Sequence, residues 1–193
     1  MFTRVPSLGR VKTRLARVVG EVAALELQRV LLERTIRTLI ESNLDAELWI
    51  DGDRNGLPPH PFEVHYQPDG DLGERMLAVC IDIAARERSP IVIGSDCPVL
   101  DAAYLRSAAA ALARADLVTG PVADGGYVLI GMSQPRADLF LRMVWSTPTV
   151  HAETLARADA AGLRTIVLNE LWDVDDAAGL RRWRELAGTS PGR

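Results

Sequence analysis

Lysine is almost missing from this chain. Of its 22 basic residues, 21 are Arg and one, Lys12, is Lys. Cysteine is nearly as scarce: Cys80 and Cys97 cannot form a disulfide framework or a four-thiolate zinc site. Long apolar runs are also lacking. The longest, Met76–Ala85, has ten residues and contains Asp82, well short of the roughly 20 that a membrane span requires. Arg4, Arg10, Lys12 and Arg14 are not followed by an uninterrupted apolar stretch, which argues against a secretory signal. Excess positive charge is absent too. A net charge of −4 and a pI near 5.4 disfavour nucleic acid as a partner, since its binding draws on a basic surface. A cytoplasmic protein without a membrane span is expected.

What is present fits a globular enzyme-sized unit. With 193 residues, 48% hydrophobic and 25% charged, the chain can bury a real core in one domain. Residues 1–187 are read as that domain and residues 188–193 as a flexible tail. The single Lys also asks for a reason: Lys carries a compact ammonium on a mobile stem, where Arg carries a planar fork.

Hydrophobic periodicity predicts the elements. Glu21–Glu41 has a helical stripe; Asp71–Arg86, Asp101–Arg114, Thr149–Ala161 and Asp176–Leu186 read as further helices. Strands are predicted at Ala46–Ile50, Phe62–Tyr66, Pro90–Gly94, Leu117–Val122, Tyr127–Ile130 and Leu163–Leu168. Such alternation implies βαβ units and a three-layer α/β/α sandwich with a mostly parallel sheet. Ligands in such sheets sit beyond the carboxyl ends of the strands.

Polar residues gather where strands should end. Gly9-Arg10-Val11-Lys12-Thr13-Arg14 leads into a helix, and Arg4 precedes it. A Gly lets backbone N–H groups approach a phosphate, and a helix start adds a favourable dipole. The stretch is not a P-loop, because Val11 occupies the position directly before the Lys. A solvated basic turn is the alternative. Asp96, just past the Pro90–Gly94 strand, is placed to hold a divalent cation or a ribose; Asp101 is the better cap for the next helix. Asp124-Gly125-Gly126-Tyr127 is either a close-approach loop or a plain hairpin turn. In Trp172-Asp173-Val174-Asp175-Asp176, a strand would point Asp173 and Asp175 to one side, while Asp175 or Asp176 could cap the following helix. Gly70-Asp71-Leu72-Gly73-Glu74-Arg75 is a Gly-rich helix entry that could wrap a base or ribose, and Trp145-Ser146-Thr147 could shape an acceptor pocket. His60, His65 and His151 lack metal spacing and read as surface or packing residues.

Taken in order, Gly9…Lys12-Thr13-Arg14-Leu15, Gly70–Met76, Gly94–Pro98, Asp124–Tyr127, Trp145–Thr147 and Asp173–Asp175 resemble the small bacterial GT-A-type glycosyltransferase-like proteins. That family was long filed as a domain of unknown function and is associated with radical-SAM gene neighbourhoods. The resemblance spans residues 2 to about 180 and implies a nucleotide-diphospho-sugar transferase fold of GT-A, Rossmann-like type. It further implies that Gly9, Arg10, Lys12, Thr13, Arg14, Gly73, Arg75 and Asp96 bind the nucleotide. Asp96 and Asp175 would hold Mg²⁺ or Mn²⁺. Asp124, Gly125, Gly126, Tyr127, Trp145 and Ser146 would face the substrate, with Lys12, Arg14, Asp96 and Asp124 catalytic. Three departures stand out: only Met1-Phe2 precedes the basic loop, so the first strand is expected to be truncated; Arg4 and Leu8 replace a usual Lys and Pro; and Asp176 stands where Thr is common.

The leading expectation is metal-dependent transfer of a sugar from a nucleotide-diphospho-sugar to a small acceptor. The alternatives are nucleotidyl transfer from an NTP with release of pyrophosphate, as in guanylyl- and cytidylyltransferases, and a nucleotide-binding module without turnover. Base, sugar and acceptor are left open, as is a homodimer.

Overall fold

The computed structural model describes residues 1–188. Its elements run β1 (Phe2–Arg4), α1 (Thr13–Val19), α2 (Glu21–Ser42), β2 (Glu47–Asp51), β3 (Glu63–Tyr66), α3 (Leu72–Ala85) and β4 (Ile91–Ile93). They continue with α4 (Ala102–Leu112), β5 (Leu117–Pro121), β6 (Tyr127–Met132), α5 (Val150–Ala160), β7 (Thr165–Val167) and α6 (Ala177–Gly188). Short 3-10 turns sit at Arg54–Gly56 and Ala137–Leu139. The expected tail begins at Gly188, which is the last helical residue; 189–193 lie outside the described residues.

The strands form two hydrogen-bonded groups, β1-β2-β3 and β4-β6-β5-β7. The β1–β2, β2–β3 and β5–β7 pairs are parallel, and β6 alone runs antiparallel to its neighbours β4 and β5. β1 has three residues, as do β4 and β7, and its ladder is to β2. Between the two groups lies an apolar cavity of about 320 Å³ bordered by Met1, Trp49, Val79, Ile91 and Leu105.

Both faces of the strands are covered, and side-chain alternation shows how. Val92, Leu117 and Ile130 pack toward Met76, Val79, Cys80 and Ala158 of α3 and α5. Their neighbours Ile93, Val118 and Leu129 pack toward Leu32, Ile36, Leu105 and Ala108 of α2 and α4. This is a three-layer α/β/α arrangement, and it explains why β4 reads as continuously apolar. Ala108 and Ala111 are both buried, so the small side chains of α4 let it approach the sheet closely. A third cluster ties Leu15 of α1 and Leu31 of α2 to Trp172, Val174 and Leu180.

Helix starts follow local chemistry. Asp71 and Glu74 form a reciprocal capping box on α3. Asp101 accepts from the Tyr104 N–H at the start of α4, and Asp176 accepts from the Ala178 and Gly179 N–H groups at α6. The cap of α6 is therefore Asp176, which leaves Asp175 free for other contacts. No helix among the described residues is long and apolar enough to cross a membrane.

Candidate functional site

Beyond the carboxyl ends of β1, β2, β4 and β5 the chain opens into a cleft of about 880 Å³, within the range of small-molecule sites. Its lining includes Lys12, Thr13, Arg14, Arg75, Asp96, Asp124, Gly126, Tyr127, Trp145, Ser146 and Asp175. Most of the residues singled out from the sequence thus meet in one place, brought from loops more than 160 positions apart. Gly9, Arg10, Gly73 and Gly125 are not among the lining residues. Arg10 is exposed and its carbonyl accepts from the Arg4 guanidinium. Gly73 lies under Trp145: a Cβ there would come within 2.8 Å of the indole. Gly125 has a φ of 89° and closes against Pro148, so it shapes the wall from behind.

The floor of the cleft is an ion cluster. Lys12 lies in left-handed backbone conformation, φ 45° and ψ 46°, at the start of α1, a region sparsely used by residues other than Gly. Its ammonium donates to Asp96 Oδ1 at 2.8 Å, to the Val174 carbonyl at 2.8 Å and to Asp175 Oδ1 at 3.1 Å. The Lys12 side chain is only 2% exposed, whereas those of Asp96 and Asp175 are 39% and 48% exposed. Both carboxylates therefore open on the cleft while the cation sits beneath them. Burial by itself would lower the Lys12 ammonium; the charges and hydrogen bonds of Asp96 and Asp175 outweigh it and hold it above its ordinary value. Nearby, the Asp173 carboxyl is pushed up to about 7, first by burial and then by repulsion from Asp175, Asp124 and Asp96.

Of the two readings of Trp172–Asp176, strand or helix cap, the structure shows the cap, and no strand forms there. Leu171 makes an isolated bridge to Val122, and the Val174 N–H then donates to the Asp96 carbonyl. That bond, not strand alternation, brings Asp175 to Asp96. Asp124 closes its own turn by accepting from the Gly126 N–H, and the Gly125 and Val122 backbone bonds make the segment a β5–β6 hairpin turn. It is thus both a hairpin and part of the cleft wall. Ser146, also on the wall, has a φ of 61°.

Beneath Asp96 lies a buried polar network that the sequence reading passed over. Ser95 Oγ bonds to Thr3 Oγ1 at 2.9 Å and accepts from Gln28 Nε2. Thr35 Oγ1 reaches the Ser95 carbonyl. The available signal was Gln28 and Thr35 on the apolar stripe of α2, where a polar side chain needs a buried partner. The histidines behave as packing residues: His65 stacks on Trp49 at 4.6 Å and His151 bonds Thr119 Oγ1.

The donor set suits a hard divalent cation. Such an ion, bound with a diphosphate, takes one or two protein carboxylates and completes its shell from phosphate and water. Asp96 and Asp175 place an oxygen each within 3.1 Å of one point, the Lys12 nitrogen. No group of three or more His, Cys, Asp or Glu able to hold an ion occurs among the described residues, so the remaining ligands would come from substrate, solvent or the backbone.

Comparison with known proteins identifies the family and the fold. The sequence profile of the family described as "Uncharacterized protein conserved in bacteria (DUF2064)" matches residues 35–147. A crystal structure from Desulfovibrio desulfuricans G20, provisionally named a nucleotide-diphospho-sugar transferase, is 30% identical with a TM-score of 0.85, covering 98% of this chain and 87% of the other. CMP:2-keto-3-deoxy-manno-octonic acid synthetase, solved with CTP, shares 14% identity at a TM-score of 0.60, over 97% of both chains. Rv0371c from Mycobacterium tuberculosis H37Rv shares 15% at 0.60, over 95% of this chain and 96% of the other. The last two speak to the fold alone. No curated protein matches the sequence. The fold is that of the nucleotide-diphospho-sugar transferases.

Proposed function

The chain belongs to the DUF2064 family, and we propose that it is a metal-dependent transferase moving a sugar from a nucleotide-diphospho-sugar to a small acceptor. The observation that carries this reading is the meeting of Lys12, Asp96 and Asp175 on the floor of one cleft, with Arg14 and Arg75 on the same lining. The name of the Desulfovibrio relative supports it. Asp96 and Asp175 would hold Mg²⁺ or Mn²⁺, which supplies charge neutralisation to a departing diphosphate. Arg14, Arg75 and Thr13 would hold the phosphates and orient the donor. Tyr127, Trp145 and Ser146 would form the acceptor side. Asp124 would take the proton of the acceptor hydroxyl as its oxygen bonds the anomeric carbon and the sugar–phosphate bond breaks, releasing a nucleoside diphosphate.

One observation favours a second reading, nucleotidyl transfer. An Asp124 oxygen is engaged by the Gly126 N–H, and an acceptor phosphate, already ionised, needs no base. Product analysis separates the two, since sugar transfer yields a nucleoside diphosphate and nucleotidyl transfer yields pyrophosphate. Under sugar transfer, Asp124→Asn lowers turnover by roughly 10²–10⁴-fold, the usual worth of a general base; under nucleotidyl transfer it leaves the rate nearly unchanged. Asp96→Asn, well folded yet binding nucleotide and Mn²⁺ as the parent does, would defeat both readings.

A further inference from the structure

The three protons of the Lys12 ammonium are all committed. One goes to Asp96, one to Asp175 and one to the Val174 carbonyl; an ammonium has no fourth donor. In this arrangement Lys12 has nothing left to give to a phosphate, and its side chain, though at the cleft floor, is only 2% exposed. Its partners, by contrast, are two partly exposed carboxylates and a carbonyl, hard oxygens of the kind that Mg²⁺ and Mn²⁺ choose. A positive charge held by such ligands at hydrogen-bond distance neutralises the same oxygens that a divalent cation would need.

We propose that the Lys12 ammonium is a displaceable place-holder for the cation: it neutralises Asp96 and Asp175 while the cleft is empty and swings to the polyphosphate when the cation takes its partners. The inference rests on the metal-dependent reading above and goes further, because it fixes the order of contacts and the sign of a mutational effect. A residue type is implied as well. The chain uses Arg at 21 basic positions and Lys only here. A planar fork would hold both carboxylates in rigid bidentate bonds, whereas a point charge on a four-carbon stem can exchange ligands. Cation and polyphosphate then bind with positive coupling through one side chain, and by linkage each strengthens the other equally.

The proposal makes Lys12 a competitor of the ion with which it cooperates. Without phosphate present, Lys12→Met should bind Mn²⁺ more tightly than the parent, by roughly tenfold if a close ion pair is relieved. With inorganic pyrophosphate added, the parent should gain more Mn²⁺ affinity than Lys12→Met does. Mn²⁺ binding is read by electron paramagnetic resonance, with folding checked by circular dichroism. A second measurement needs no substitution. Since Lys12 is the chain's one lysine, protein grown with ε-¹³C, ζ-¹⁵N lysine shows a single side-chain signal. Mg²⁺ and pyrophosphate should shift it away from its buried, carboxylate-bonded position. Cation binding with an unmoved lysine signal, or weaker Mn²⁺ binding by a folded Lys12→Met, overturns the displacement and leaves the metal reading standing. If neither protein binds Mn²⁺ with pyrophosphate present, the metal reading fails and the displacement falls with it.

Discussion

Gly20 and Gly125 offer a comparison for measuring what holds the hairpin wall of the cleft in place. Both lie at positive φ, 85° and 89°, where an Ala is strained by about 1–3 kcal/mol, offset in part by the lower chain entropy of unfolded Ala. The space around them differs entirely. A Cβ on Gly20 meets nothing within 4 Å, whereas one on Gly125 lies 2.0 Å from the Pro148 carbonyl oxygen and 2.5 Å from its carbon. Those are backbone atoms, so no rotamer change relieves the clash; the hairpin or the Pro148 loop must move. Overpacking of that kind costs about 1–3 kcal/mol. Gly125→Ala should therefore lose about 2 kcal/mol more than Gly20→Ala, a gap of roughly 4–8 °C in Tm for a domain of this size. The His151 N–H donates to the Gly125 carbonyl at 2.9 Å, so displacement should also reach α5. Thermal melts of both variants under one buffer provide the test. Equal Tm losses would show that the close approach of Gly125 to Pro148 contributes nothing, and the wall would need another explanation.

Two further perturbations follow from the same geometry. Asp173 has a folded pKa of about 7, above its unfolded value, so its ionisation opposes folding: that destabilisation is absent near pH 4, grows as pH rises, and is complete above about 7. Asp173→Asn, melted in EDTA, should match the parent near pH 4 and exceed it by about 1–2 kcal/mol at pH 8, after allowance for partial exposure; an equal gain at both pH values would contradict the assignment. Asp71→Ala removes the capping box of α3 and should lower stability by about 1 kcal/mol. It should also loosen the Gly70–Arg75 edge of the cleft, read as weaker nucleotide binding in calorimetry. Undiminished stability would show the box to be dispensable.

Much of the fold was legible because its signals are local. The stripe of α2, the apolar run of β4 and the acidic start of α3 each report their own element. The segment Trp172–Asp176 shows where local signals mislead. Trp172 and Val174 are buried at 8% and 0% exposure, and Asp173 and Asp175 lie between and beside them, so the period-2 alternation of a strand is truly present. Yet period 2 records which side chains pack, here against Leu15, Leu31 and Leu180, and says nothing of what the backbone bonds to. Past the single bridge at Leu171, the Val174 N–H finds the Asp96 carbonyl, in a loop. The antiparallel course of β6 was equally hidden, since a strand buried on both faces reads the same in either direction.

The site itself was legible as a set of candidates and illegible as a contact. Asp96 could be separated from helix capping because Asp101 is nearer to α4, and that distinction holds: Asp101 takes the Tyr104 N–H and Asp96 takes Lys12. The same division recurs at α6, where Asp176 caps and Asp175 is left for Lys12. Each of these two segments thus carries one acid for the helix that follows and another for the cleft. What joins the two free acids is a residue 84 positions from one and 163 from the other, a separation that only strand order can close. Composition held the one hint that reached across it. A chain that writes Arg 21 times and Lys once puts that Lys where three oxygen acceptors must be shared among single, rotatable protons. An Arg in its place, with a flat fork and five fixed donors, would satisfy the two carboxylates and resist release. Lys12→Arg therefore makes a sharper probe than loss of charge: it should keep the fold and the ion pair while weakening Mn²⁺ binding below the parent. Parent-like Mn²⁺ affinity in that variant would mean that the geometry of the cation at this position does not matter.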